Sequence, residues 1–592
     1  MPALQEEEQL GKAYDRALMS RLLGFLRPYR HRVSLAVLLL LLLAVVELTG
    51  PYLIKVAIDQ YIAPGRLRGL TGIAVLYLLV LVLQYALVYG HNTLTQWIGQ
   101  HVMFDIRARL FQHLQKLPLS TFDVQPVGRL VTRTTNDIET LNNMLSSGVV
   151  AVFGDLFVLS GIVLVMLHLN WRLALLTFSV LPFIAAATFI FRRRVRGSFR
   201  RIRVRLARIN SMLQENISGM MTVQLFNRQE SNRVQFDRLN RDHLEAHLET
   251  IRYYAIFFPS IELFGSIFLA LILWTGGMKV LEGSLTIGAV VAFIQYTERF
   301  FHPIRDLSDK YNLMQAAMAS AERVFTLLDS PEQPASSGEA AALPPHRGKI
   351  EFDRVSFSYV AGEPVLRQVS FTVQPGEKVA IVGATGAGKT TLIHLLMRDY
   401  ELRSGVIRLD GVDISRANLH ELRRRFSVVW QDVFIFSGSV LENIRLGEER
   451  ISEASCAAAA RSVNAHGFIE RLSGGFAHRL QERGANLSVG EKQLLSFARA
   501  LVFNPEILVL DEATSSVDVE TERLIQNAIG TLMWNRTSLI IAHRLSTIRN
   551  VDRIIVLHKG EIAEMGTHTE LLRRRGVYHR LYQLQFSEAT AI

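Results

Sequence analysis

Cysteine is nearly missing from this sequence of 592 residues: Cys456 stands alone, so no disulfide within the chain can brace it. A cleavable leader is missing as well, since Met1–Lys12 is acidic and polar where such a leader would be basic and then apolar. The N-terminus is therefore expected to stay in the mature protein. A single core is ruled out by length, because cores stop growing near about 250–300 residues, and two or more domains are expected. What the sequence has in excess is apolar residues, 49% of the total with mean hydropathy +0.21, concentrated in the first half. That is high for a soluble enzyme. The net charge of +11 suits nucleic acid or an anionic membrane surface, and the positions of the charges decide between them.

Six apolar runs, 33–59, 70–90, 147–169, 173–192, 255–277 and 285–303, are each long enough to cross a bilayer, which takes about 20 residues. The segment RLLGFLRPYRHR (21–32) mixes apolar and basic residues around Pro28, which predicts a short helix lying along the inner interface. Two long segments carry the basic charge: 192–254 opens with RRRVRGSFRRIRVRLAR, and 102–146 holds Arg107, Arg109, Lys116, Arg129 and Arg133. The positive-inside rule places both in the cytoplasm, with the short loops near 60–69, 169–172 and 278–284 outside and both termini inside. An arginine-rich helix end at the lipid headgroups accounts for the net charge without nucleic acid. The two cytoplasmic segments read as helical hairpins turning near 121–128 and 215–222.

The text changes after SAERVFTLLDS. PEQPASSGEAAALPPH has the composition of a linker, and from Lys349 short β-rich runs alternate with helices, the pattern of an α/β domain. The expected domains are 1–330 in the membrane, a linker at 331–347, and 348–592.

The strongest motif is GATGAGKT at 383–390, entered by the strand KVAIVG and left by the helix TTLIHLLM. That context defines a phosphate-binding loop. Gly383, Thr385, Gly386 and Gly388 shape a loop whose backbone N–H groups turn toward a phosphate, followed by Lys389, Thr390 and Thr391 at the helix N-terminus. Lys389 is placed to reach the β- and γ-phosphates, and Thr390 to ligate Mg²⁺. Downstream, ILVLDE ends an apolar strand in Asp511 and Glu512, a metal ligand and a water-polarising base delivered beside the phosphates.

Tyr359, the 383–390 loop, Gln431, LSVGE at 487–491, LVLDEATSSVD at 508–518 and His543 stand in the order and spacing of the ATP-binding cassette family. With its six spans and two hairpins, the whole chain resembles a bacterial ABC exporter half-transporter of the multidrug and lipid-exporting type. FDVQPVGRLVTRTTND (122–137) and ENISGMMTVQLFNRQE (215–230) are similar to that family's coupling segments. The resemblance completes the fold class: an α-helical membrane domain with six transmembrane helices and long cytoplasmic extensions, fused to an α/β P-loop ABC ATPase domain.

By position, the resemblance implies that Tyr359 stacks on adenine and that Gln431 senses Mg²⁺ and the γ-phosphate. It gives Asp511 the task of holding Mg²⁺, Glu512 that of orienting and polarising the attacking water, and His543 a contact to the γ-phosphate. Asp518 falls in the loop crossing between two cassettes. ATP and Mg²⁺ are the implied cofactors. In this family the signature turn faces ATP held by a second cassette, so Ser488 and Gly490 are expected to serve a partner's nucleotide, and a chain with one cassette must dimerise.

The turn LSVGE departs from the family's usual LSGGQ at Val489 and Glu491. A carboxylate about 4 Å from a phosphate charge is unfavourable by about 1 kcal/mol in water and about 4 at an effective dielectric of 20, enough to weaken the composite site. Ser488 and Glu491 also fit a helix capping box, a role that glutamine would fill equally. An altered turn beside a retained Glu512 matches one subunit of the family's heterodimeric exporters, so a heterodimer is favoured over a homodimeric lipid or multidrug flippase. The expected location is a bacterial cytoplasmic membrane with the ATPase domain inside, and the expected cargo is hydrophobic drugs or lipids moved by alternating access. Glu47 ahead of Pro51, Gln84, Asp155 and Glu262 either mark a substrate path or serve helix packing. Glu512 argues against a nucleotide-gated channel, the fusion of spans and cassette against an importer, and the lack of an N-terminal peptidase against a bacteriocin processor.

Overall fold

The computed structural model describes residues 15–66, 68–179, 181–333, 341–344, 347–511, 519–542 and 545–586. The chain divides into two compact units, Met1–Gln115 with Gly128–Ser330, and Lys116–Val127 with Pro331–Ile592.

The first unit is helical. Helix α1 (Arg16–Gly24) starts at Asp15, whose carboxylate accepts the N–H groups of Ala17 and Leu18, and stops before Pro28, which sits in a single tight turn. Next come α2 (Arg30–Ala57), α3 (Leu70–Leu114), α4 (Leu119–Val124, part of the second unit), α5 (Val127–Thr134), α6 (Asn136–Asn143), α7 (Val150–Phe178), α8 (Leu181–Ser218), α9 (Met220–Leu225), α10 (Gln229–Leu281) and α11 (Ile287–Leu328). The six apolar runs fall on α2, α3, α7, the α7–α8 junction, α10 and α11. Among the described residues four helices are long and apolar enough to cross a membrane: Arg27–Ile62, Leu70–Leu114, Val152–Phe178 and Gln229–Leu281. Of the other two runs, 173–192 is shared between α7, which ends at Phe178, and α8, which turns basic from Arg192, and the run on α11 carries Glu298 and Arg299.

The turn expected at 169–172 shrinks to one residue. Asn170 has an extended backbone (φ −163°, ψ 105°) inside α7, and its side-chain oxygen accepts the Leu173 N–H at 3.0 Å, starting the next helical stretch. Bulky side chains from three helices, Ile162, Met166, Phe268, Phe293 and Tyr296, form a buried cluster, while Leu78, Leu79, Val82 and Tyr85 on α3 face outward.

Pro51 lies inside α2 and has no N–H to give the carbonyl of Glu47, four residues back. Helix α11 supplies the missing donor and one more: the Arg299 guanidinium donates to the Glu47 carbonyl, and the Tyr296 hydroxyl donates to the Leu48 carbonyl at 2.6 Å. At the other end of α2, Asp59 accepts the Gly288 N–H at 2.8 Å and the Thr286 hydroxyl at 2.6 Å, capping α11. Asp155 on α7 pairs with Lys310 on α11, Gln84 is half-buried on α3, and Glu262 is exposed on α10. These polar residues lie on separate helices, and two of them already have partners in the framework.

The second unit is built on strands β1 (Ile350–Phe357), β2 (Leu366–Val373), β3 (Lys378–Gly383), β4 (Ser404–Leu409), β5 (Val412–Asp413), β6 (Phe426–Val429), β7 (Gly438–Ser439), β8 (Arg479–Leu480), β9 (Ile507–Asp511), β10 (Thr537–Ile541), β11 (Arg553–His558) and β12 (Glu561–Gly566). The larger sheet runs β12-β11-β3-β10-β9-β6 and is parallel except for β12; a smaller antiparallel sheet runs β2-β1-β4-β5. Side chains alternate between the two faces of the larger sheet. Val379 and Ile381 enter one core with Leu392 and Leu396, while Ala380 and Val382 enter the other with Leu494 and Phe497. Burial on both faces explains why these strands read as unbroken apolar runs. Cys456 sits fully buried in the second of these cores.

Candidate active site

Four neighbouring parallel strands, β3, β10, β9 and β6, end at one edge. Ile381, Ile541 and Asp511 stand in one row across β3, β10 and β9, and Val429 pairs with Leu510 one step back. The strand ends therefore converge on one place: the Gly383 loop after β3, Gln431 two residues beyond β6, and Asp511 as the last residue of β9. Glu512, Asp518 and His543 lie outside the described residues; by sequence the first continues directly from β9, and the last comes two positions after β10.

The phosphate loop is shaped by contacts at its glycines. A Cβ on Gly383 would run into the Leu557 carbonyl, and Gly388 combines φ +100° with a Leu366 methyl that would lie 2.6 Å from any Cβ. Gly388 opens helix α12 (Lys389–Leu396) with no side-chain cap, so the first-turn N–H groups are left to another acceptor. Thr385, Gly386 and Thr390 are exposed around that end, and Thr391 is buried beneath it. The Lys389 ammonium, itself buried, donates to the carbonyls of Gly383 at 2.9 Å and Ala384 at 3.1 Å.

Burial lowers the pKa of Lys389, while Asp511 acts to raise it. Burial likewise pushes the Asp511 carboxyl up, against the pull of Lys389 and His394. Each charge thus makes the other tolerable in a poorly solvated place. The Thr390 hydroxyl, the Asp511 carboxylate and the Gln431 amide are hard oxygen donors of the kind Mg²⁺ takes, so the residues present fit that ion.

Tyr359 is partly exposed, with its hydroxyl donating to Thr391 Oγ1 at 3.2 Å. Its ring stands edge-on to Phe357 at 4.9 Å and to Tyr400 at 5.0 Å, and burial raises the pKa of the phenol. An aromatic ring held this way offers one face for stacking.

The signature turn lies apart in sequence. Ser488 caps helix Val489–Val502 through a reciprocal pair: its hydroxyl accepts the Glu491 N–H at 3.3 Å, and its own N–H donates to the Glu491 carboxylate at 2.8 Å. Ser488 and Val489 are exposed, and Gly490 is buried. Glu491 is thus folded back on the turn by a bond that a glutamine oxygen could also accept.

Sequence reasoning did not single out Arg299, Tyr296, Tyr400 or Asp123. The first two had a legible signal, since a proline inside a span demands an outside donor for a carbonyl. Tyr400 and Asp123, whose side chains hydrogen-bond, are 277 positions apart and carried none.

Residues 33–304 match the family model of the ABC transporter transmembrane region, and residues 366–515 match that of the ABC transporter domain. The chain is 38% identical to an uncharacterized ABC transporter ATP-binding protein, YknV, of Bacillus subtilis, covering 98% of this chain and 97% of the relative. It is also 38% identical to an ATP-dependent lipid A-core flippase of Syntrophus aciditrophicus, over 96% and 95%. Among solved structures, a bacterial Atm1-family ABC exporter with ATP bound superposes with a TM-score of 0.77 at 28% identity, over 94% of this chain and 98% of that one.

Proposed function

The chain belongs to the ABC transporter family, as a fused membrane and ATPase chain of the exporter type, and we propose that it works as one half of a heterodimer. It is an exporter of the lipid or multidrug kind, and its ATPase domain couples ATP hydrolysis to transport. The proposed cargo is a hydrophobic or amphipathic compound carried out across a bacterial cytoplasmic membrane, with the ATPase domain inside. The proposed working parts are a membrane domain over 1–330, a linker over 331–347 and an ATPase domain over 348–592.

The observation that carries this reading is the shared strand edge. It gathers the phosphate loop, Gln431 and Asp511, and in sequence Glu512 follows β9 and His543 comes two positions after β10. In the proposed roles Tyr359 stacks on the adenine. Loop N–H groups from Gly383 to Gly388 and the start of α12 hold the phosphates, with Lys389 and Thr391. Mg²⁺, held by Thr390, Gln431 and Asp511, would neutralise developing charge on the phosphates. Glu512 orients and polarises the attacking water, and His543 contacts the γ-phosphate. Ser488, Gly490 and Asp518 act across the dimer. ATP binds the closed pair of cassettes more tightly than the open pair, and that difference drives alternating access.

The heterodimer rests on the signature turn, where Glu491 brings a carboxylate to the Ser488 N–H. A phosphate of the partner's ATP would compete for that donor and meet a like charge. The homodimeric flippase differs in one readout. ATP turnover by this chain purified alone in lipid, abolished by Glu512→Gln, would establish a competent homodimer and end the heterodimer proposal. A folded sample that binds ATP without turning it over supports the need for a second subunit.

A further inference from the structure

We propose that Tyr400 is a positioning residue through which the base of the bound nucleotide sets the state of α4, the segment between α3 and α5. The proposal rests on the reading of Tyr359 as the adenine platform. It goes further by giving the base, as distinct from the phosphates, its own line to the membrane hairpin.

Tyr400 touches both ends of that line. Its hydroxyl donates to the Asp123 carboxylate on α4, and its ring meets the Tyr359 ring edge-on, with centroids 5.0 Å apart and planes at 86°. Such edge-to-face contacts depend on tilt, because a positive ring edge seeks a negative ring face. The far end of Tyr359 is pinned by its bond to Thr391, so a base stacked on its open face resets a ring whose remaining freedom is tilt.

Tyr400 has little room to absorb that change alone. Phe357 stands edge-on at 5.8 Å and His394 at 5.9 Å. His394 is itself held by Asp399 at 3.0 Å and stacked on Trp430 at 5.0 Å, the residue before Gln431. Any shift of this ring carries its hydroxyl oxygen with it, and the hydroxyl holds Asp123.

The start of the same segment is tied to the same stretch of chain. The Gln333 N–H donates to the Lys116 carbonyl at 2.9 Å, and the Gln333 side chain donates to the Arg398 carbonyl at 2.6 Å, two residues before Tyr400. Lys116 also faces Glu332 at 3.6 Å. Residues 116–127 therefore have a fixed tether at Lys116 and an adjustable one at Asp123.

Hydrogen–deuterium exchange over 116–127, in the full protein in lipid nanodiscs, tests the relay. Three states are compared: no nucleotide, Mg²⁺ with a non-hydrolysable ATP analogue, and Mg²⁺ with inorganic tripolyphosphate, which lacks the base. In wild type the analogue slows exchange over 119–124 and tripolyphosphate does not. Tyr400→Phe, which keeps the ring, loses about fivefold of that protection, the worth of one net hydrogen bond, with the affinity for the analogue unchanged. Asp123→Ala loses the same amount, and the double variant loses no more. Full protection in Tyr400→Phe, or equal protection by tripolyphosphate, overturns the relay. A wild type that binds the analogue without any change over 119–124 overturns it alone, whereas one that does not bind it also removes the reading beneath it.

Discussion

The two units meet their surroundings in opposite ways. On α3, Leu78, Leu79, Val82 and Tyr85 point outward and His91 and Thr95 are buried; in β9, every residue from Ile507 to Leu510 is buried, and the first carboxylate, Asp511, arrives where the strand ends. An apolar solvent asks a helix only for an apolar exterior, so many sequences serve and single residues say little. A sheet buried on both faces tolerates charged groups only at strand ends, so those few positions carry the chemistry. Polar residues inside the first unit are often engaged in its own repair, as Arg299 and Tyr296 are with the carbonyls around Pro51. Their presence alone does not mark a route for cargo.

Five substitutions sharpen that contrast. The largest effect is expected at the strand edge: Glu512→Gln lowers phosphate release by more than about 100-fold, as removal of a group acting in the transition state does, with Tm unchanged. A comparable loss of Tm would show the residue to be structural and blur the contrast. In the membrane unit the expectation reverses. Asp137 is buried, accepts the Ser320 hydroxyl at 2.9 Å and pairs with Arg323, so Asp137→Ala destabilises the unit by about 2–3 kcal/mol, seen as a lower Tm. Nucleotide binding by the folded fraction stays as it was.

Tyr359→Ala raises the KM for ATP about tenfold through the loss of one stacking contact, measured by steady-state hydrolysis, with little change in kcat. The smallest effect separates the two roles of Glu491. Ser488→Ala removes the cap and costs about 1 kcal/mol. Glu491→Gln keeps the reciprocal bonds and shifts stability by less than about 0.5 kcal/mol, so any gain in turnover reports the carboxylate's effect on the partner's ATP.

Legibility shows the same division. The positions of the phosphate loop and Asp511 at strand ends were legible because each follows a short apolar strand, whereas Gln431 was placed by the family's order of motifs. The capping box was readable from two residues at i and i+3, and the structure forms it. The apolar runs were readable as helices. Their exact breaks were not: whether α7 stops at Asn170 depends on a side-chain oxygen taking over one N–H, which hydropathy does not register. For Arg299 with Glu47 the sequence shows the need, a proline inside a span, but not the residue that meets it. Tyr400 with Asp123 was invisible for a different reason. That pair joins positions 277 apart, and neither partner has an unusual neighbourhood in sequence.

Pro51 and Arg299 make one unit of inheritance. Proline inside a helix is disfavoured by about 3 kcal/mol relative to alanine, which suggests that Pro51→Ala should help. Here the new amide would compete with the guanidinium for the Glu47 carbonyl, loosening Arg299 among apolar helices where an arginine is costly. The reverse change, Arg299→Met with Pro51 kept, strands the carbonyl instead. A lineage leaves the latched α2 without a loss only by exchanging both residues together, so each position holds the other in place over evolutionary time.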